Sequence, residues 1–306
     1  MEAINPTSEV SSVSTSPKAG FYRLVLFVFI LVIVEFICAV PYAIFVSSTY
    51  PGTSWEELGE ITMGGKNLKL MLLTQLAFTG ASVLAVWFSR KFIDRSTLVS
   101  LGFSLKDKLR DLAIGGLWGI ALIGIGFLVF WLGGFVEIQP GNLTGTAFWI
   151  YLLVYIMVAI GEEVVSRGYI LNNLMEGMNK YKALLISSLL FGLFHIINSN
   201  VSIVGFLNIT LSGALMGVYY IHRKNLWFPI AMHFTWNFFQ GVVFGFGVSG
   251  TVHPGLLSHT RTGSDLLTGG LFGLEGSIVI TPLLIISLFI ADRLYRTEAT
   301  GSMVQS

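Results

Sequence analysis

Three short stretches carry side chains equipped for acid–base chemistry in an otherwise apolar chain: "EEVVSR" at 162–167, "FGLFH" at 191–195 and "HFTWN" at 233–237. Charged and strongly polar groups are rare in such surroundings and mark working sites when they occur. Their spacing sorts them. Glu163 and Arg167 lie four apart with the acid first, the favourable order for an ion pair within one helix. Phe191 and His195 are also four apart, as are His233 and Asn237, so each pair shares a helix face. Glu162 points about 100° away from Glu163 around a helix and has no local partner. It must look to another helix, where His195 and His233 are the candidates. A carboxylate meeting imidazoles in a partly wetted, low-dielectric cavity is equipped to take a proton from water.

Each group also has a structural reading. A buried histidine can be a hydrogen-bonded core residue, and Glu163 with Arg167 can be a helix-end pair with the arginine snorkelling outward. Asn237 can hydrogen-bond between helices. Three separate apolar segments all carrying such groups favour a shared site.

The elements that position these residues follow from composition. The chain has 306 residues, of which 54% are hydrophobic and 11% charged, against about 25% charged in an ordinary soluble domain. Mean hydropathy is +0.75. Apolar windows long enough to span a bilayer as helix recur eight times, near 24–46, 70–88, 112–132, 148–170, 183–198, 203–221, 226–246 and 271–291. No strand-type alternation supports a barrel and no internal repeat is evident. The expected fold is an all-α polytopic membrane bundle of about eight transmembrane helices, with a polar cavity opening to the cytoplasmic half. The fifth and sixth spans, separated by "NSNVS", are expected to form a tight helical hairpin. Gly115 with Gly119, and Gly213 with Gly217, have the spacing that lets helices approach closely.

Residues 1–20 read as a disordered polar tail, 21–296 as one transmembrane domain and 297–306 as a short cytoplasmic tail. With the N-terminus inside, 15 of the 18 Lys and Arg residues fall on the cytoplasmic side, as the positive-inside tendency requires. Both termini are therefore expected in the cytoplasm. The single cysteine, Cys38, has no partner for an internal disulfide, and a net charge of +1 without a basic stripe argues against a nucleic-acid partner.

The ordered trio EExxxR, FxxxH and HxxxN, on separate hydrophobic segments, resembles the CPBP intramembrane proteases, which include the type II CaaX prenyl endopeptidases (the Rce1-like, or Abi, group). The resemblance covers roughly residues 98–291, and "SLGFS" at 100–104 looks like the bacterial branch. It implies an endopeptidase acting on a membrane-tethered, CaaX-like or otherwise lipidated or hydrophobic polypeptide, in a bacterial inner membrane. Carried over by resemblance, Glu162 is the base that activates the attacking water, assisted by His195. His233 and Asn237 hold that water or stabilise the oxyanion, and Glu163 with Arg167 positions the site or the substrate backbone. No HExxH motif is present. Glu162, His195 and His233 could form a three-ligand zinc site, but the expectation is a glutamate-activated water without a cofactor.

Three other classes compete: a non-enzymatic membrane scaffold, a bacteriocin-immunity protein and a proton-coupled transporter. A scaffold has no need of a base together with oxyanion donors, and the absence of repeats counts against a transporter. The lone acids Glu35 and Glu275 are expected to line the cavity or a gate, or to meet a hydroxyl or amide partner. Asn208 and Thr210 are expected as interhelical contacts.

Overall fold

The computed structural model describes residues 17–106 and 108–304, with side chains over 20–106 and 108–296. Residues 1–16 of the expected polar tail lie outside the described residues. Eleven helices follow in order: α1 (Pro17–Thr49), α2 (Trp55–Thr62), α3 (Leu68–Phe88), α4 (Lys108–Leu132), α5 (Gly145–Glu163), α6 (Asn172–Gly177), α7 (Lys180–Phe194), α8 (Ile203–Arg223), α9 (Trp227–Phe238), α10 (Asp265–Thr268) and α11 (Ile280–Val304). The chain is an all-α polytopic membrane protein. Among the described residues, five helical stretches are long and apolar enough to cross a bilayer: Gly20–Thr49, Leu68–Ile93, Lys108–Leu132, Gly145–Gly177 and Ile203–Arg223. The other three expected windows are also helical, as α7, α9 and α11. At 15 and 12 residues, α7 and α9 are shorter than the roughly 20 residues of a full span.

Polar residues at the segment boundaries set where helices begin. Asn67 caps α3 by accepting from the amides of Lys69 and Leu70, and Thr144 caps α5 through the amide of Ala147. Asn179 and Ser202 do the same for α7 and α8, through Tyr181 and Gly205. Each cap satisfies amides that a helix start leaves without partners.

Two helix pairs carry the site, and small residues bring each pair together. A Cβ on Gly115 would lie 2.3 Å from the Phe228 carbonyl, and one on Gly119 would lie 2.5 Å from that of Met232, so α4 and α9 meet backbone to backbone. A Cβ on Gly217 would meet the Leu184 side chain at 2.5 Å, and Gly192 packs in the same way on Thr210, which joins α7 to α8. The two glycine pairs picked out by spacing are thus packing contacts.

Three differences from the sequence reading matter. First, α7 ends at Phe194, so His195 is the residue that closes it, and the hairpin loop runs 195–202. Second, the helix holding the glutamates does not stop near 170. A π-helical segment (Val164–Leu171) leads into α6, so Glu162 sits 15 residues from Gly177 and 17 from Gly145. That places it about 22 Å along the helix from one end, near mid-length, against about 12 Å from the end of the expected window 148–170. Third, α11 begins at Ile280. The preceding "TGGLFGLEG" forms two 3₁₀ turns, with Gly269 and Gly273 at φ +78° and +86°, a conformation glycine adopts without penalty.

A two-stranded antiparallel ribbon, absent from the sequence reading, pairs β1 (Val136–Pro140) with β2 (Leu257–Arg261), Val136 opposite Arg261 and Pro140 opposite Leu257. It joins the segment after α4 to the one before α11. The end of the bundle that carries it is called the ribbon end below.

Candidate active site

The two glutamates of "EEVVSR" lie at the end of α5 and have separate surroundings. Glu163 is fully buried. Its Oε1 accepts from Arg167 Nη1 at 2.7 Å and from His233 Nδ1 at 2.9 Å. Arg167, itself 1% exposed, donates from Nη2 to the Gly213 carbonyl of α8 at 3.1 Å. Its guanidinium lies over the Phe191 ring, 4.2 Å from the centroid. A guanidinium buried this deeply needs a paired carboxylate and satisfied donors, and α5, α7, α8 and α9 all contribute to meeting that need. Phe191 packs in turn against both histidine rings, its centroid 4.7 Å from His195 and 6.2 Å from His233.

These contacts fix the histidine tautomers. A carboxylate paired with arginine can only accept, so His233 Nδ1 carries the proton it gives to Glu163. His195 Nδ1 lies 2.8 Å from the Phe191 carbonyl, which also only accepts, so that nitrogen is protonated too. When neutral, each ring therefore keeps its lone pair on Nε2.

Both Nε2 atoms face Glu162. Its Oε2 lies 3.5 Å from His195 Nε2 and 3.9 Å from His233 Nε2. Neither separation is a direct hydrogen bond, and Glu162 Oε2 has no hydrogen-bond partner among the described residues. The Glu162 side chain is 36% exposed, against 0% for Glu163. Three acceptors converging at slightly more than contact distance leave a position that a donor such as water satisfies. Three lone pairs also suggest a metal. A tetrahedral zinc bound at about 2.0–2.2 Å, however, brings its ligand atoms to roughly 3.3–3.5 Å from one another, and the 3.9 Å between Glu162 and His233 is wider. No group of three His, Cys, Asp or Glu side chains among the described residues is arranged to hold a metal ion.

Asn237 follows His233 by one turn of α9 and is buried. It lines a cavity with His195, His233, Trp236, Ser249 and Glu275. The apolar wall of that cavity is built from Phe191, Ile209, Met216 and Met232. No protein group among the described residues hydrogen-bonds the Asn237 amide, which leaves its N–H donors available.

All six residues singled out by spacing thus meet in one region. Two things were not legible from spacing. The Glu163–His233 bond joins residues 70 apart in sequence, and Ser249 had no signal at all. Of the two lone acids, Glu275 lines the cavity, while Glu35 faces Ser82 of α3 at 3.5 Å. Asn208 is an interhelical contact, donating to the Glu275 and Ser277 carbonyls and accepting from Thr281. Thr210 bonds within its own helix, to the Phe206 carbonyl.

Neither curated proteins nor solved structures give a match to this chain. Residues 144–239 match the family model described as type II CAAX prenyl endopeptidase Rce1-like. The matched segment spans α5 to α9 and holds Glu162, Glu163, Arg167, His195, His233 and Asn237. The chain is an integral membrane protein, and the helices that bear the site are those similar to the Rce1-like family of type II CAAX prenyl endopeptidases.

Proposed function

We propose that Glu162 activates a water held against His195 and His233, and that this water hydrolyses a peptide bond of a membrane-tethered polypeptide without a metal ion. The observation that carries the reading is the unbonded Glu162 Oε2, 3.5 Å and 3.9 Å from two imidazole nitrogens. The carboxylate takes a proton from water, and the oxygen of that water attacks the scissile carbonyl carbon. The Asn237 N–H donors supply the kind of stabilisation that is usually the largest contribution in acyl transfer. His233 donates a hydrogen bond from Nδ1–H to Glu163, so its Nε2 acts as an acceptor that holds the water. Asn237 is left as the oxyanion donor. Protonated Glu162 then returns its proton to the departing amine as the C–N bond breaks.

Glu163 and Arg167 position the site through His233 and Phe191. The substrate is a lipidated, CaaX-like or otherwise hydrophobic tail. Ser249 and Glu275 line the cavity from the segments between α9 and α11, and the substrate is taken to enter from the half of the membrane away from the ribbon. The bias of basic residues makes that half cytoplasmic, with both termini inside, and the "SLGFS" stretch supports a bacterial inner membrane.

The test is cleavage of a farnesylated CaaX peptide and of an unmodified hydrophobic peptide by purified protein in liposomes made up in H₂¹⁸O. Product carrying ¹⁸O in its new carboxylate, unaffected by chelator, is the expected result. Absence of cleavage of either peptide would reject proteolysis and leave a binding role. Loss of activity with chelator, restored by zinc, would reject the metal-free route.

A further inference from the structure

The lone acid Glu275 is a carboxylate in the cavity wall for which water activation has no use. It lies in the second 3₁₀ turn before α11 and is 3% exposed. Its carboxylate accepts three hydrogen bonds. Trp236 Nε1 donates to Oε1 at 3.0 Å, while the Ser249 amide and hydroxyl donate to Oε2 at 2.7 Å and 2.9 Å. Each donor belongs to a different part of the site. Trp236 sits on α9 between His233 and Asn237. Ser249 sits in the segment after α9, and its carbonyl accepts from Asn198 Nδ2 at 3.1 Å.

Asn198 is three residues past His195, in the loop that closes α7. The same loop is pressed against the next glycine. Gly250 has φ +90°, and a Cβ there would lie 2.0 Å from the Ser199 carbonyl. The backbone of Glu275 is held as well, by Asn208 of α8 at 2.8 Å. A continuous set of contacts therefore runs from the His195 loop through Ser249 and Glu275 to Trp236, on the helix that carries His233.

We infer that Glu275 is a positioning residue that sets the separation of His195 and His233. Neither histidine bonds directly to Glu162, so nothing within the trio holds the two rings at a fixed spacing. α7 and α9 are both shorter than a full span, and His195 lies beyond the end of its helix. The His195 ring is tied to its own helix through the Phe191 carbonyl, and the loop that follows is tied to the rest of the site through Asn198 and Ser249. Glu275 acts from outside the matched domain, with one carboxylate that serves both histidine-bearing elements. Its lone pairs are occupied by these donors, which sets it apart from Glu162. The kinetic part of this inference rests on the hydrolase reading. The spectroscopic part does not.

The experiment compares wild type with Glu275→Gln, Ser249→Ala and Asp111→Asn, the last a variant of a buried carboxylate outside the cavity. Glutamine keeps the shape of glutamate but cannot accept from both Trp236 and Ser249, because its amide nitrogen only donates. Small misplacements of catalytic groups are costly, so kcat of Glu275→Gln is expected to fall about tenfold to a hundredfold with KM little changed. Ser249→Ala, which retains the backbone bond to Glu275, falls less. Asp111→Asn leaves kcat per folded molecule unchanged. In ¹⁵N-histidine spectra of the intact, detergent-solubilised protein, the ring signals of both His195 and His233 move in Glu275→Gln. Wild-type kcat in a folded Glu275→Gln protein, or unmoved histidine signals, would overturn the inference. Should wild type cleave no peptide, the hydrolase reading falls and the histidine spectra alone decide the positioning role. Should Glu275→Gln fail to fold, the Ser249→Ala spectra decide it in the same way.

Discussion

Two carboxylate sites in this bundle differ in how their oxygens are partnered. At the start of α4, Asp111 accepts from the Tyr219 hydroxyl at 2.6 Å and from Asn225 Nδ2 at 2.7 Å, so both of its oxygens are bonded. Asn225 in turn accepts from the Trp227 amide at 2.8 Å and so helps to start α9. At the end of α5, Glu162 has an oxygen within 4 Å of two imidazoles and bonded to neither. Asp111 is 8% exposed and the Glu162 side chain 36%, but the unbonded Glu162 Oε2 is itself buried, so burial of the atom does not separate structure from chemistry. What separates them is whether every polar atom has a partner, since buried groups with no partner are few and each calls for an explanation. Asp111 uses its lone pairs to join helices, whereas Glu162 keeps one for a reacting molecule. The contrast is weaker between adjacent residues: Arg167 and His233 both donate to Glu163 Oε1, while its Oε2, like Glu162 Oε2, has no partner among the described residues, and Glu163 differs in being fully buried and ion-paired.

The comparison can be broken at either site. The largest stability effect is expected at Arg167. Arg167→Met leaves Glu163 charged and buried with only His233 beside it, and removing one partner of a buried pair costs about 3–5 kcal/mol. Unfolding in detergent should show that loss, and the double variant Glu163→Gln with Arg167→Met should recover part of it. Asn237→Leu is expected to slow cleavage about 10²–10³-fold while the unfolding midpoint stays near wild type. A wild-type rate would remove Asn237 as the oxyanion donor. Asp111→Asn should do the opposite, costing about 1–3 kcal/mol of stability and leaving the rate per folded molecule unchanged. Loss of rate there would erase the distinction between the two sites.

The smallest effect lies away from both, at His259 on β2. Burial, and then the neighbouring Arg261, depress its pKa to about 4, and its ring packs 4.0 Å from that of Phe246. The folded ribbon keeps the ring neutral, while the unfolded chain takes up its proton near the ordinary value of about 6.5. Stability is therefore unaffected by this group above pH 6.5 and declines as pH falls from about 6.5 to about 4. Unfolding midpoints across that range, flattened in His259→Phe, check the sign.

Much of this was legible in the sequence because it is local. Apolar windows found the helices, and a four-residue spacing found the Glu163–Arg167 pair. The lack of a local partner singled out Glu162. What was missed depends on contacts distant in sequence or on backbone breaks. Periodicity carries no sign that His233 bonds to Glu163 across 70 residues, or that Ser249 reaches Glu275. The glycines before Ile280 shorten the last span by forming turns that hydropathy reads as continuous. The π-helical segment after Glu163 keeps the chain helical beyond its apolar window, which places Glu162 near the middle of its helical stretch.

The most direct test sets Glu162→Gln beside Glu163→Gln in one single-turnover cleavage assay, with unfolding midpoints recorded on the same samples. Glu162→Gln should keep the wild-type midpoint and lose about 10²–10⁴-fold in rate, whereas Glu163→Gln should lower the midpoint as well. A folded Glu162→Gln protein that cleaves at the wild-type rate would contradict the assignment of Glu162 as the base.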